Sequence, residues 1–129
     1  MDFEVTSQVL KALRQAAKLA CPDEACGILT GDDGQITAII ETANVHPTPK
    51  IHFEIDPQAL IDAYRNRRNG GEGIVGYFHS HPTGAPEPSI TDRAMAAGDG
   101  KVWAIIAADQ IGFWRDEPDG FCALTYSVV

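Results

Sequence analysis

Residues 73–92 read Gly73-Ile74-Val75-Gly76-Tyr77-Phe78-His79-Ser80-His81-Pro82, then Thr83-Gly84-Ala85-Pro86-Glu87-Pro88, then Ser89-Ile90-Thr91-Asp92. The run Gly73–His79 is short and apolar, the composition of a buried central strand. His81–Pro88 carries three prolines and a glycine, which forbids regular structure and makes a stiff loop. Ser89-Ile90-Thr91-Asp92 has the form of a helix cap, and a short helix through about Ala97 follows. This strand–loop–helix frame places the rest of the chain around a sheet.

Outward towards the N-terminus, Asp56-Pro57 is a cap with proline at the first helical position. It opens a helix with Leu60, Ile61 and Tyr64 inward, ending at Gly70-Gly71. Asn44–Lys50 holds two prolines and reads as loop. Ala25–Thr30 and Gln35–Glu41 are strand candidates joined by Gly31-Asp32-Asp33-Gly34, a hairpin. Before them, Thr6 or Ser7 caps a helix that sets Val9, Leu13, Ala16 and Ala20 on one face and stops at Pro22. Towards the C-terminus, Val102–Ala108, Ile111–Arg115 and Phe121–Val128 suggest three further strands in a meander. The expected order is α-β-β-α-β-α-β-β-β, an α/β fold with a single mixed β-sheet flanked by helices.

At 129 residues, the chain suits one domain spanning 1–129, and no linker or repeat divides it. Ten Lys+Arg against eighteen Asp+Glu leave a net charge of −8, which repels phosphate backbones and anionic lipid. Nucleic acid and membrane are therefore not expected partners. The first twenty residues form an amphipathic stretch and lack the apolar core of a signal peptide. Cys21, Cys26 and Cys122 cannot all pair and make no Cys-x-x-Cys, so a reduced, cytoplasmic compartment is expected.

The chemistry concentrates where the central strand runs out. Side chains two apart on a strand share a face, so His79 and His81 can aim both imidazoles at one point. Asp92, in the first turn of the next helix, can fold back towards them. Two neutral imidazoles and a carboxylate make a three-ligand set for Zn²⁺ that leaves a fourth tetrahedral position for water. Each piece alone has a plainer reading. His-x-His is compatible with a solvated edge, and Ser89 with Asp92 is compatible with a capping box and nothing more. Found together on one frame stiffened by Pro82, Pro86 and Pro88, they favour a site.

Glu24 in Pro22-Asp23-Glu24-Ala25-Cys26-Gly27, followed by His79-Ser80-His81-Pro82, six residues and Ser89-x-x-Asp92, resembles the JAMM/MPN+ metallopeptidase family at every motif position. The leading helix, Asn44 and Phe53–Pro57 resemble its short bacterial and archaeal single-domain branch. The resemblance implies the JAMM/MPN α/β sandwich, related in architecture to cytidine deaminases, with Zn²⁺ as cofactor. It implies metal ligation by His79, His81 and Asp92, Glu24 as general base, and Ser89 as hydrogen-bond donor to the oxyanion. Deamination itself is not expected, since the His-x-Glu and Pro-Cys-x-x-Cys signature is missing.

The implied reaction is hydrolysis of an amide or isopeptide bond after the Gly-Gly tail of a ubiquitin-like or sulfur-carrier (ThiS/MoaD-type) protein. The tail would lie extended beside a strand, and the enzyme would be a monomer or homodimer. Two alternatives stand beside it. A non-catalytic MPN scaffold has no need of the full Glu24, His79, His81, Ser89 and Asp92 set. A RadC-like DNA-associated protein is suggested by His79-x-His81-Pro82-Thr83-Gly84, and the net charge of −8 opposes it. Other conspicuous residues read as structural. Cys26, Trp103 and Trp114 fit a core or sheet face, Arg65, Arg67 and Arg68 suit a helix C-terminus, and His46 and His52 flank a proline-rich loop.

Overall fold

The computed structural model describes residues 2–32 and 34–129. Along the chain run β1 (Phe3–Val5), α1 (Ser7–Ala20), β2 (Cys26–Asp32), β3 (Gln35–Thr42), α2 (Pro57–Arg68), β4 (Gly73–Ser80) and α3 (Ile90–Met95). There follow β5 (Val102–Ala107), β6 (Gln110–Glu117), β7 (Gly120–Ala123) and β8 (Tyr126–Val128). All eight strands join one mixed sheet in the order β7-β6-β5-β4-β2-β3-β1-β8. The expected central strand is β4, bracketed by antiparallel β2 and parallel β5. The expected hairpin is β2–β3, although Asp33 of its turn lies outside the described residues.

Two strand assignments differ from the sequence reading. Phe3-Glu4-Val5 is a strand with a buried–exposed–buried pattern, too short for alternation to stand out from the amphipathic stretch that follows. The last expected strand breaks at Leu124-Thr125, so the meander β5–β6–β7 ends and β8 pairs with β1. The two edge strands are thus joined by two residues. Three Cα steps reach at most ~11 Å, so the sheet curls until its edges approach. An aromatic cluster seals the seam: Phe3 of β1 meets Phe113 of β6 at 5.1 Å between centroids, and Tyr126 of β8 meets Phe113 at 4.8 Å.

Helix α1 lies on the curled sheet. Thr6 is its cap, accepting the Val9 N–H at 3.2 Å, and Val9, Leu10, Leu13 and Ala16 are buried. Leu13 is fully enclosed, and truncating such a leucine to alanine costs about 2–5 kcal/mol. Helix α2 is a correction. Asp56 caps it as expected, but only Ala63 is buried, while Ile61 and Tyr64 are exposed. Its small contact residue lets it lie close on β4, and the Tyr64 hydroxyl reaches Tyr77 at 3.1 Å instead of entering a core. Helix α3 ends at Met95, short of Ala97, because Ala96 is already extended.

Candidate active site

The site forms at the end of β4, where register sets its parts. Cys26 of β2 pairs with His79, which places Glu24, two residues earlier, beside the histidine strand. Ser80, between the two histidines, fixes this junction. Its Oγ accepts the Ala25 N–H at 2.8 Å, and its own N–H donates to the Ala25 carbonyl at 3.0 Å. A separation of 55 residues in sequence is thereby reduced to adjacent strand ends.

Three side-chain atoms converge there. His79 Nε2 and His81 Nε2 stand 3.1 Å apart, and Asp92 Oδ2 is 3.1 Å from the first and 3.2 Å from the second. Glu24, His79 and His81 each present one ligand atom, all within 4.8 Å of one another. His81 Nδ1 faces the Ala85 carbonyl at 2.9 Å, which calls for the proton on Nδ1 and turns a lone pair on Nε2 inward. Two imidazole nitrogens and a carboxylate oxygen this close together form a donor set of the kind that holds a cation. Ligands at about 2.0–2.1 Å around tetrahedral zinc lie ~3.3 Å apart, close to the observed triangle. The donor set fits a metal ion.

The electrostatics follow from burial and partners. Burial pushes the Glu24 carboxyl up to about 7, with the Asp92 charge adding to the rise and His81 opposing it. Burial also holds His79 below the usual imidazole range, against the pull of Asp92. Burial works against Asp92 as well, yet the neighbouring His79 and His81 rings and the hydrogen bond from the Ser89 N–H keep its carboxyl well below the usual range. For His81 the order of winners reverses: burial lowers it, but Asp92, the Ala85 carbonyl and Glu24 together raise it.

Ser89 and Asp92 form a reciprocal capping box. Ser89 Oγ accepts the Asp92 N–H at 3.0 Å, and the Ser89 N–H donates to Asp92 Oδ2 at 2.9 Å. The pair does form a capping box, and that box is what turns Asp92 towards the histidines. As an acceptor from Asp92, the Ser89 hydroxyl keeps its own proton free to donate.

The structure adds residues that sequence reasoning left outside the site. The Phe53 ring stacks on His79 at 4.2 Å and 15°, and Trp103 meets His79 edge-on at 5.7 Å, backed by Phe121. These rings keep water from the imidazole faces. Trp114 Nε1 donates to the Pro86 carbonyl at 3.1 Å, pinning the loop that carries Ala85. Gly112 lets that loop approach, since a Cβ there would strike the Pro86 carbonyl. Trp103 sits two ladder positions from Ile105, the partner of His79, and that pairing was invisible before the strand order was known. His46 and His52 instead face each other at 4.9 Å, and Cys26 is buried with its thiol towards the Thr42 and Ala43 carbonyls.

Comparison with known proteins agrees with this geometry. The family model describing prokaryotic homologs of the JAB domain matches residues 6–117. The desampylase of Haloferax volcanii is 33% identical over 108 residues, covering 82% of this chain and 78% of that protein. The CysO-cysteine peptidase of Mycobacterium bovis is 28% identical over 94 residues, 71% of this chain and 64% of the peptidase. A protein from Desulfitobacterium hafniense, solved in solution, superposes with a TM-score of 0.87 at 26% identity, covering 98% of this chain and 92% of that one. The JAMM resemblance and the sheet-and-helix architecture expected from the sequence both hold. With the family model spanning most of its length, the chain belongs to the prokaryotic homologs of the JAB domain.

Proposed function

We propose that this chain is a zinc-dependent peptidase that hydrolyses the amide or isopeptide bond after the Gly-Gly tail of a ubiquitin-like or sulfur-carrier (ThiS/MoaD-type) protein. The observation that carries the reading is the triangle of His79 Nε2, His81 Nε2 and Asp92 Oδ2, with edges of 3.1–3.2 Å and Glu24 beside it. His79, His81 and Asp92 would hold the metal. Zn²⁺ bound there supplies Lewis acidity, making a water more acidic and polarising the scissile carbonyl.

The chain's own residues do the rest. Glu24 takes a proton from the attacking water and returns it to the leaving amine, a cycle suited to a buried carboxyl raised to about 7. The Ser89 hydroxyl donates to the oxygen of the tetrahedral intermediate. Phe53 and Trp103 exclude bulk water from His79 and strengthen the local electrostatics. Named relatives support the substrate class: one is a desampylase and another a CysO-cysteine peptidase.

The same reading takes the chain as one working domain in the cytoplasm, consistent with three free cysteines, and as a monomer or homodimer. No described helix is long and apolar enough to cross a membrane, and the acidic surface disfavours nucleic acid. The test joins metal analysis of the purified protein to a cleavage assay on Gly-Gly-tailed β-grasp fusions with amino-acid and protein leaving groups. About one zinc per chain and release of at least one leaving group are expected. A metal-loaded protein that cleaves none of them overturns the substrate assignment.

A further inference from the structure

The loop from Val45 to Glu54 carries Phe53 onto His79, yet little apolar burial holds it. Val45 is 44% exposed and Ile51 66% exposed, and Ile55 at the loop's end is the nearby apolar anchor. An isolated bridge between Asn44 and Ile55 closes its base, and the Val45 N–H donates to the Glu54 carbonyl at 3.0 Å. Within the loop the Ile51 and His52 N–H groups donate to the Thr48 carbonyl and the Thr48 N–H donates to His46 Nδ1, while one side chain ties the loop to the Glu24 segment. Asn44 Nδ2 donates to the carbonyls of Glu24 at 3.1 Å, His52 at 3.0 Å and Pro49 at 3.4 Å. Asn44 Oδ1 accepts the His46 N–H at 3.1 Å and the Glu54 N–H at 3.0 Å. The circuit closes where the Glu24 N–H donates to the Pro49 carbonyl at 2.7 Å.

We propose that Asn44 is a positioning residue whose carboxamide locks the Glu24 backbone to the loop bearing Phe53, so that Glu24 and Phe53 address His79 as one rigid unit. The inference rests on the proposed role of Glu24 as general base. A short carboxamide suits this position because an NH2 facing three carbonyls and an oxygen facing two N–H groups sit on the same side chain. Aspartate matches its shape but sets a carboxylate against three carbonyl oxygens. Serine reaches fewer of the five groups. Through Asn44 the base and one wall of the site share a support that is separate from the capping box holding Asp92.

A double-mutant cycle with amide hydrogen exchange tests this on the full chain, with zinc content verified in every variant. Asn44→Asp is expected to lower kcat on a cleaved Gly-Gly-tailed fusion about ten- to a hundredfold, with KM within about twofold of wild type. Exchange at the Glu24 and Glu54 amides should speed up while the Phe78 and His79 amides of β4 stay protected. In a Glu24→Gln background the same substitution should add less than about a twofold loss, because the group being positioned is already disabled. If Asn44→Asp folds poorly, Asn44→Ser, which introduces no charge, takes its place in the same cycle. A loss that multiplies with that of Glu24→Gln overturns the proposal, as does unchanged exchange at Glu24. Full activity in Glu24→Gln alone instead refutes the base assignment, and the exchange result still decides whether Asn44 orders the Glu24 segment.

Discussion

The two halves of the site are built in opposite ways. The half proposed to hold the metal, His79, His81 and Asp92, comes from one short stretch of chain: a strand end, a loop with three prolines and a helix cap. Its geometry is local, since the Ser89–Asp92 box and the His81–Ala85 bond both span four residues or fewer. The base half has no such economy. Glu24 precedes β2, and it reaches the histidines only through the β2–β4 register, the Ser80–Ala25 bonds and the Asn44 carboxamide. Local construction favours tolerance of change elsewhere, whereas long-range construction makes the base sensitive to loops and sheet register. On the proposed roles, metal binding and proton transfer stand on largely separate supports, and mutations should be able to take them apart.

The largest effect comes from the ligand half. A His79→Ala, His81→Ala double variant removes two of three protein ligands, so zinc should be lost and cleavage should fall to background. Elemental analysis after gel filtration checks it, and full zinc occupancy in that variant would sink the ligand assignment.

A smaller effect is expected where structure and chemistry meet in one residue. Ser89→Ala deletes the acceptor for the Asp92 N–H and should cost about 1 kcal/mol of stability. If the hydroxyl also serves the oxyanion, turnover per folded molecule should fall on the order of a hundredfold. Thermal melts beside kinetics separate the two contributions. A lowered Tm with normal turnover would reduce Ser89 to a cap that positions Asp92.

This division explains what could be read from the sequence. The clustering of His79, His81 and Asp92 was legible because its signals are local: alternation puts His79 and His81 on one face, and the Ser89-x-x-Asp92 spacing is a capping pattern. The central strand and the hairpin were legible through their apolar runs and turn residues. Glu24 carried little signal of its own, and only the family resemblance singled it out. Phe53, Trp103, Trp114 and Asn44 escaped because their roles depend on non-local contacts: a stack, an edge contact, a bond to Pro86 and a five-membered hydrogen-bond set. The misread face of α2 has a similar cause. Leu60, Ile61 and Tyr64 have helical spacing, but α2 fully buries only the small Ala63, leaving Leu60 half-buried and Ile61 and Tyr64 exposed.

The separation of the two halves is tested most directly by measuring zinc content and cleavage rate in the same preparation of Glu24→Gln. Glutamine keeps the side chain's size and reach and removes its ability to accept a proton. The account predicts zinc occupancy and Tm near wild type with cleavage reduced by about 10²–10⁴-fold. Wild-type cleavage by the zinc-replete variant would contradict it, and so would loss of zinc in step with activity, which would place Glu24 among the ligands.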